Sequence, residues 1–321
     1  MGRDGSEPLS LISNAAYMAM IRAFGMTGGA SNDIVHEIVA FGRRPKELWG
    51  EGIFGPLSGG QGGAVEGLER DGYFVFPELL PVGLCEELSY LAHELPCEVR
   101  RRPDIRPARY RDLPSDVSVA WLDESDLAAE SLLQRVVGDP GLLGIAQAYL
   151  RCRPVMSALA MWWSRAAQAS ELDRSENAQQ FHFDIDRLKW LKFFVYLTDV
   201  SAASGPHVFV AGSHRRGGQP RRFMVRGNSR WADHEVIDHF GDRVIELTGP
   251  RGTIFVADTR GLHKGKSPVV GERLVLQVEY ADSLFGASFR RVARVPLKDP
   301  QLRRARATLP GAFKRWDLVD R

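Results

Sequence analysis

Four residues in the second half of the chain have types and spacings suited to metal chemistry: His182, Asp184, His263 and Arg273. His182 and Asp184 lie two apart in the run Gln179 to Asp184, whose alternation predicts a strand, so both side chains leave the same face. An imidazole and a carboxylate pointing the same way from a rigid element make two thirds of a 2-His-1-carboxylate facial triad. Such a triad needs a second histidine on another strand, and His263, which follows the apolar run Thr253 to Ala257, supplies it. Arg273 opens the next strand-like run, Arg273 to Tyr280. A His-X-Asp alone is weak evidence, since surface strands produce it by chance, whereas the ordered set of four is far more specific.

In this order and spacing the set resembles the iron(II)/2-oxoglutarate dioxygenases, specifically the phytanoyl-CoA dioxygenase-like branch. Three more segments carry the resemblance: Asp71-Gly72-Tyr73 with the following FVFPELL; Ser204-Gly205-Pro206 followed by Val210-Ala211-Gly212-Ser213-His214, similar to the branch's "NG-x-L … PGSH"; and Gly252-Thr253, similar to its "GD". The likeness runs roughly from Leu68 to Asp282. It implies iron(II) held by His182, Asp184 and His263, with 2-oxoglutarate chelating the metal through its keto-acid end and dioxygen as the oxidant. The distal carboxylate of 2-oxoglutarate is assigned to Arg273, whose planar guanidinium donates two parallel hydrogen bonds. The outcome implied is hydroxylation or a related oxidation of a small organic molecule. Halogenating members carry a small residue at the position of Asp184, so the aspartate points away from halogenation. Two departures stand out, Ala211 in place of a usual proline and Lys264-Gly265 in place of a frequent Gly-Ser, and neither removes a ligand.

Strand parity supplies the remaining candidates. On Trp190 to Val200, Lys192, Phe194, Tyr196 and Thr198 share one face, and Leu191, Phe193, Val195 and Leu197 the other. If the mixed face is interior, Lys192 and Tyr196 are placed to assist the co-substrate. Gln180 precedes His182 by two and shares its face, His207 stands where relatives are usually apolar, and Trp163 closes the apolar run Pro154 to Ser164; these three are substrate candidates. His214, within the GSH turn, reads as structural with its ring bonded to backbone.

These residues must be positioned by a large folded body. A chain of 321 residues with 44% hydrophobic and 26% charged residues suits a globular core and argues against disorder. A net charge of +2 is too mild to predict nucleic-acid binding, and no nucleic-acid motif accompanies it. No apolar run approaches the roughly 18 to 20 residues of a membrane span, and MGRDGSEPLS lacks the layout of a secretory signal. Three cysteines without metal-type spacing fit a reduced, cytoplasmic setting. The partner expected is a small-molecule substrate, with the chain a monomer or homodimer.

The expected fold is mainly β with flanking helices, a double-stranded β-helix (jelly roll). Residues 1–64 are expected to form a helical extension packed on the main body, and residues 65–321 the dioxygenase domain with a basic tail. Helices are predicted over Leu9 to Phe24, Asn32 to Phe41, Pro81 to Leu95, Glu124 to Val137 and Pro140 to Leu150, with Glu51 to Gly67 a flexible glycine-rich connection. Strands are predicted at Tyr73 to Phe76, Pro154 to Ser164, Gln179 to Asp184, Trp190 to Val200, His207 to Val210, Arg222 to Val225, Arg243 to Leu247, Thr253 to Ala257 and Arg273 to Tyr280. Trp231 to Phe240 reads as a helix or turn, and Asp282 to Arg321 as less regular. Two competing readings are a cupin-type metal enzyme that does not use 2-oxoglutarate, against which Arg273 argues, and a catalytically silent binding protein, against which the complete triad argues.

Overall fold

The computed structural model describes residues 11–48, 50, 52–54, 60–100, 102–167, 179–224 and 230–320. Two helices, α1 (Leu11–Thr27) and α2 (Ala30–Phe41), come first, and α3 (Gly60–Asp71) leads into strand β1 (Tyr73–Leu79). After α4 (Val82–Glu94) come β2 (Pro96–Glu98), β3 (Ala108–Arg109) and β4 (Val119–Leu122), and then α5 (Glu124–Ala129), α6 (Ser131–Val137) and α7 (Pro140–Leu150). The long strand β5 (Val155–Arg165) precedes β6 (Trp190–Tyr196), β7 (His207–Val210), β8 (Val244–Leu247), β9 (Thr253–Ala257), β10 (His263–Gly265) and β11 (Glu272–Ala281). The chain ends with β12 (Val292–Leu297), a helix over Pro300–Thr308 and β13 (Trp316–Asp320).

Two sheets face each other, which is the jelly-roll arrangement. The larger runs β1-β9-β6-β11-β5-β4-β2-β3 and the smaller β10-β7-β8, with antiparallel pairing throughout both. Strand β6 shows how sequence sets the layers. Leu191, Phe193 and Val195 enter the large core with Leu143, Ile145 and Leu150 of α7, while Phe194 and Tyr196 turn inward against Phe209, Phe255 and Val275. The mixed face is therefore the interior, and the uniformly apolar face lies under the helices. Outside the smaller sheet, Val208, Val210 and Leu262 meet Phe181, Phe183 and Ile185, and α1 adds Met20 and Phe24, the latter stacked on Phe183 at 6.0 Å.

Several predicted elements differ from those observed. Gln179 to Asp184 is no strand; only Phe181 and His182 make single bridges, to Trp231 and His263. Arg222 to Val225, expected as a strand, gives a helical turn at Arg221–Met224 that buries Phe223, with Val225 outside the described residues. The helix expected over Glu124 to Val137 breaks at Glu130, whose backbone is extended. Part of the glycine-rich connection is helical: α3 seals Ala64 and Leu68 into the core, and that burial outweighs the poor helix propensity of its glycines. The boundary expected after residue 64 falls inside α3. The tail is more regular than expected, because Asp299 accepts hydrogen bonds from the Gln301 and Leu302 amides and starts the helix at Pro300, and β12 pairs with β13 in parallel.

Candidate metal centre

His182 and His263 reach the site by a reciprocal backbone pair. The His182 amide donates to the His263 carbonyl at 3.0 Å and the His263 amide to the His182 carbonyl at 2.8 Å, which brings the rings to 4.3 Å between centroids. One residue pair of β-pairing thus does the work of a full strand. Asp184 is fixed likewise, its amide donating to the Thr259 carbonyl at 2.9 Å, and Thr259 in turn receives the Trp190 indole N–H at 2.8 Å.

The donor atoms converge. Asp184 Oδ1 lies 3.6 Å from His182 Nε2 and Oδ2 lies 3.6 Å from His263 Nε2, and all three ligand atoms fall within 4.8 Å of one another. The Nδ1 of His182 meets the Gln180 carbonyl at 2.8 Å, and that of His263 the Gly261 carbonyl at 2.9 Å. A carbonyl only accepts, so each Nδ1 carries the proton and each Nε2 presents a lone pair. Burial pulls the His182 imidazole down to about 3, and burial likewise lowers His263. Burial alone would raise the Asp184 carboxyl, but the neighbouring charges, the Lys192 ammonium first among them, outweigh it and hold it well below the carboxylate range. Two neutral imidazoles and one ionised carboxylate are the protonation states metal ligation requires. The residues fit a divalent ion.

Lys192 is placed differently from the expectation. Its Nζ lies 2.7 Å from Asp184 Oδ2 and 3.5 Å from Glu279 Oε2, its cross-strand neighbour on β11, and Ser157 holds the other oxygen of Glu279 at 2.6 Å. Its ammonium is the counter-charge of a candidate ligand. The Tyr196 hydroxyl gives its one proton to the Leu247 carbonyl at 2.8 Å and accepts the His207 amide at 2.9 Å, so it has no proton left to donate to a co-substrate.

Arg273 lies in the interior, opposite Ser164 of β5, and donates to the Ser164 hydroxyl at 3.2 Å. It is 3% exposed, its Nε has no partner, and among the described residues no carboxylate pairs with it. Burial lowers its pKa. His207 lies on the same interior face, its ring parallel to His263 at 5.5 Å and tilted on Phe194 at 5.0 Å, with Nε2 unpartnered. Burial, then the nearby His263 and Arg273, push its imidazole well below the ordinary range. The Gln180 contact seen is through its backbone carbonyl to His182.

Trp163 is a correction. It faces the helices, stacked on Tyr110 at 4.4 Å with its indole N–H donating to the Ala92 carbonyl at 3.3 Å, and belongs to the large core. Register shows why: Arg273, Val275 and Gln277 of the interior pair with Ser164, Trp162 and Ala160, so Trp162 points inward and Trp163 away. The register between β5 and β11, which the sequence does not carry, decides this.

Ser213, quoted above only within the GSH motif, has a role that the structure supplies. It gives its proton to the Val210 carbonyl at 2.6 Å and accepts the Leu262 amide at 2.8 Å, so the GSH turn anchors the segment that delivers His263. His214 bonds to the Glu69 backbone, and its ring lies so close to Gly72 that a Cβ there would come within 2.4 Å of Nδ1. With φ of +84° as well, position 72 requires glycine.

A jelly roll with two histidines and an aspartate converging inside it is a β-helix with a candidate metal centre. Residues 68–267 match the phytanoyl-CoA dioxygenase (PhyH) family, and the chain belongs to that family. No curated protein matches the chain. Among solved structures, it is similar to AviO1 from Streptomyces viridochromogenes Tue57, with 17% identity, TM-score 0.46, and coverage of 71% of this chain and 97% of that one. It is also similar to the non-haem α-ketoglutarate-dependent carbocyclase SnoK from nogalamycin biosynthesis, with 16% identity, TM-score 0.46, and coverage of 68% and 82%. A third is HygX from Streptomyces hygroscopicus with nickel and 2-oxoglutarate bound, with 15% identity, TM-score 0.47, and coverage of 72% and 89%.

Proposed function

We propose that this protein is a non-haem iron(II)/2-oxoglutarate-dependent oxygenase that oxidises a small organic molecule in a biosynthetic or tailoring pathway. The observation that carries the reading is the pairing, in one interior, of a three-donor site in ligating protonation states with a buried arginine that has no carboxylate partner. A guanidinium withdrawn from water is costly without a counter-ion, and the distal carboxylate of 2-oxoglutarate is the counter-ion that family membership supplies.

Iron, 2-oxoglutarate and dioxygen together supply a two-electron oxidation of substrate with loss of carbon dioxide from the co-substrate. The chain supplies the rest. His182, Asp184 and His263 hold the ion, and Arg273, steadied by Ser164, orients the co-substrate. Lys192 neutralises Asp184 and keeps its Oδ2 engaged. His207, against His263 and near Arg273, carries no proton charge at neutral pH and lines the interior where co-substrate or substrate would pass. Around them Phe194, Phe209 and Phe255 exclude water.

The test is anaerobic titration of iron(II)-loaded protein with 2-oxoglutarate, followed by the metal-to-ligand absorbance, and then a substrate screen read by mass. Saturable absorbance and an oxygen gain or two-hydrogen loss are expected. Iron binding without any 2-oxoglutarate response would instead support the cupin-type reading.

A further inference from the structure

A polar cleft of about 330 Å³ lies between α2, the C-terminal end of α7, the turn that carries Arg215 and Arg216, and the 258–260 loop. Neither the triad nor Arg273 lines it. Five lysine or arginine side chains face it against three carboxylates, and a fourth carboxylate, Asp258, lies 2.7 Å from Arg260, leaving one positive charge in excess. Two of the five are matched, Arg260 by Asp258 at 2.7 Å and Asp33 at 2.8 Å, and Arg151 by Glu37. Among the described residues Lys189, Arg215 and Arg216 make no ion pair.

Lys189 carries the argument. Its Nζ donates to the Tyr149 carbonyl at 3.3 Å and lies 4.4 Å from the centre of the Tyr149 ring, while the Tyr149 hydroxyl is taken up by Asp258 at 2.6 Å. The ring therefore acts as a floor that fixes where the ammonium points. Burial, then the charge of Arg260, pull this ammonium down to about 8. A half-buried cation held beside other cations is relieved when an anion sits among them.

We propose that this cleft is a binding site for an oxyanion of the phosphate class, held by Lys189, Arg215 and Arg216. Three cations without an ion-pair partner line one cleft, and two guanidinium groups with an ammonium are the donors that suit a tetrahedral oxyanion. The site stands apart from the metal centre and is independent of the oxygenase reading.

Isothermal titration calorimetry of the iron-free full chain with inorganic phosphate and with phenyl phosphate tests it. Saturable one-to-one binding is expected. It should weaken about tenfold or more in Lys189→Met and in an Arg215→Ala/Arg216→Ala double variant, a tenfold loss being what one lost charge-assisted contact gives. Both arginines are exposed, so the double variant retains its fold. Tighter binding of phenyl phosphate assigns the site to the phosphate of an organic molecule, and equal affinity assigns it to the free ion. The proposal is overturned if neither ligand binds at millimolar concentration, if the double variant binds as wild type does, or if Arg273→Ala abolishes binding and so places the anion at the interior arginine.

Discussion

At the triad, the ligand carboxylate has a partner within the protein: Asp184 has Lys192 at 2.7 Å, and each histidine gives its Nδ1 proton to a backbone carbonyl. At Arg273, in the same interior, a guanidinium 3% exposed has only a serine hydroxyl. The first region is held by the fold through backbone bonds at His182 and Asp184 and the hydroxyl of Ser213. The second is a cation without a carboxylate among the described residues, the feature on which the proposed co-substrate role rests. Metal affinity should therefore be robust to changes at the arginine, and co-substrate affinity should not.

The largest break in this comparison is at the ligands. His182→Ala, Asp184→Ala or His263→Ala should each abolish substrate-dependent 2-oxoglutarate consumption while circular dichroism shows the fold retained. Consumption that persists with all three replaced would place the chemistry elsewhere.

Lys192→Met removes the counter-charge instead. It leaves Asp184 and Glu279 buried without their cation, and breaking such a pair costs about 3–5 kcal/mol of stability. Iron then supplies the missing charge, so iron(II) should raise the melting temperature of this variant by more than it raises that of wild type. An equal increment in both proteins would mean Lys192 does not balance the ligand site.

Arg273→Ala should leave iron binding unchanged and weaken 2-oxoglutarate by roughly 2–5 kcal/mol, or about thirty- to several-thousand-fold. Arg273→Lys should recover part of this, since an ammonium lacks the two-pronged geometry. Equal co-substrate affinities for wild type and Arg273→Ala, read from the metal-to-ligand absorbance, would erase the contrast between the two regions.

The smallest effect is with pH. His214 is held down to about 4 by burial, and His207 is also lowered, against an ordinary 6.5. Groups depressed in the folded state take up protons more readily when unfolded, so their contribution is complete above about 6.5 and is lost as pH falls toward 4. Thermal unfolding of the metal-free protein should show melting temperature falling across that window, and His207→Leu should flatten the slope.

Local pattern was enough to locate His182, Asp184, His263 and Arg273, because their order and spacing survive in one dimension. It also set the inner and outer faces of β6, since alternation at period two is a local property. Other features depend on partners distant in sequence. That His182 needs only one bridge to His263, that Lys192 pairs with Asp184 and Glu279 and the Tyr196 proton goes to Leu247, and that Trp162 rather than Trp163 faces the interior are all decided by which strands become neighbours. The helix over Gly60–Asp71 is the same lesson in reverse: its glycines argue for a loop, and only the burial of Ala64 and Leu68 against a core built from the rest of the chain overrules them.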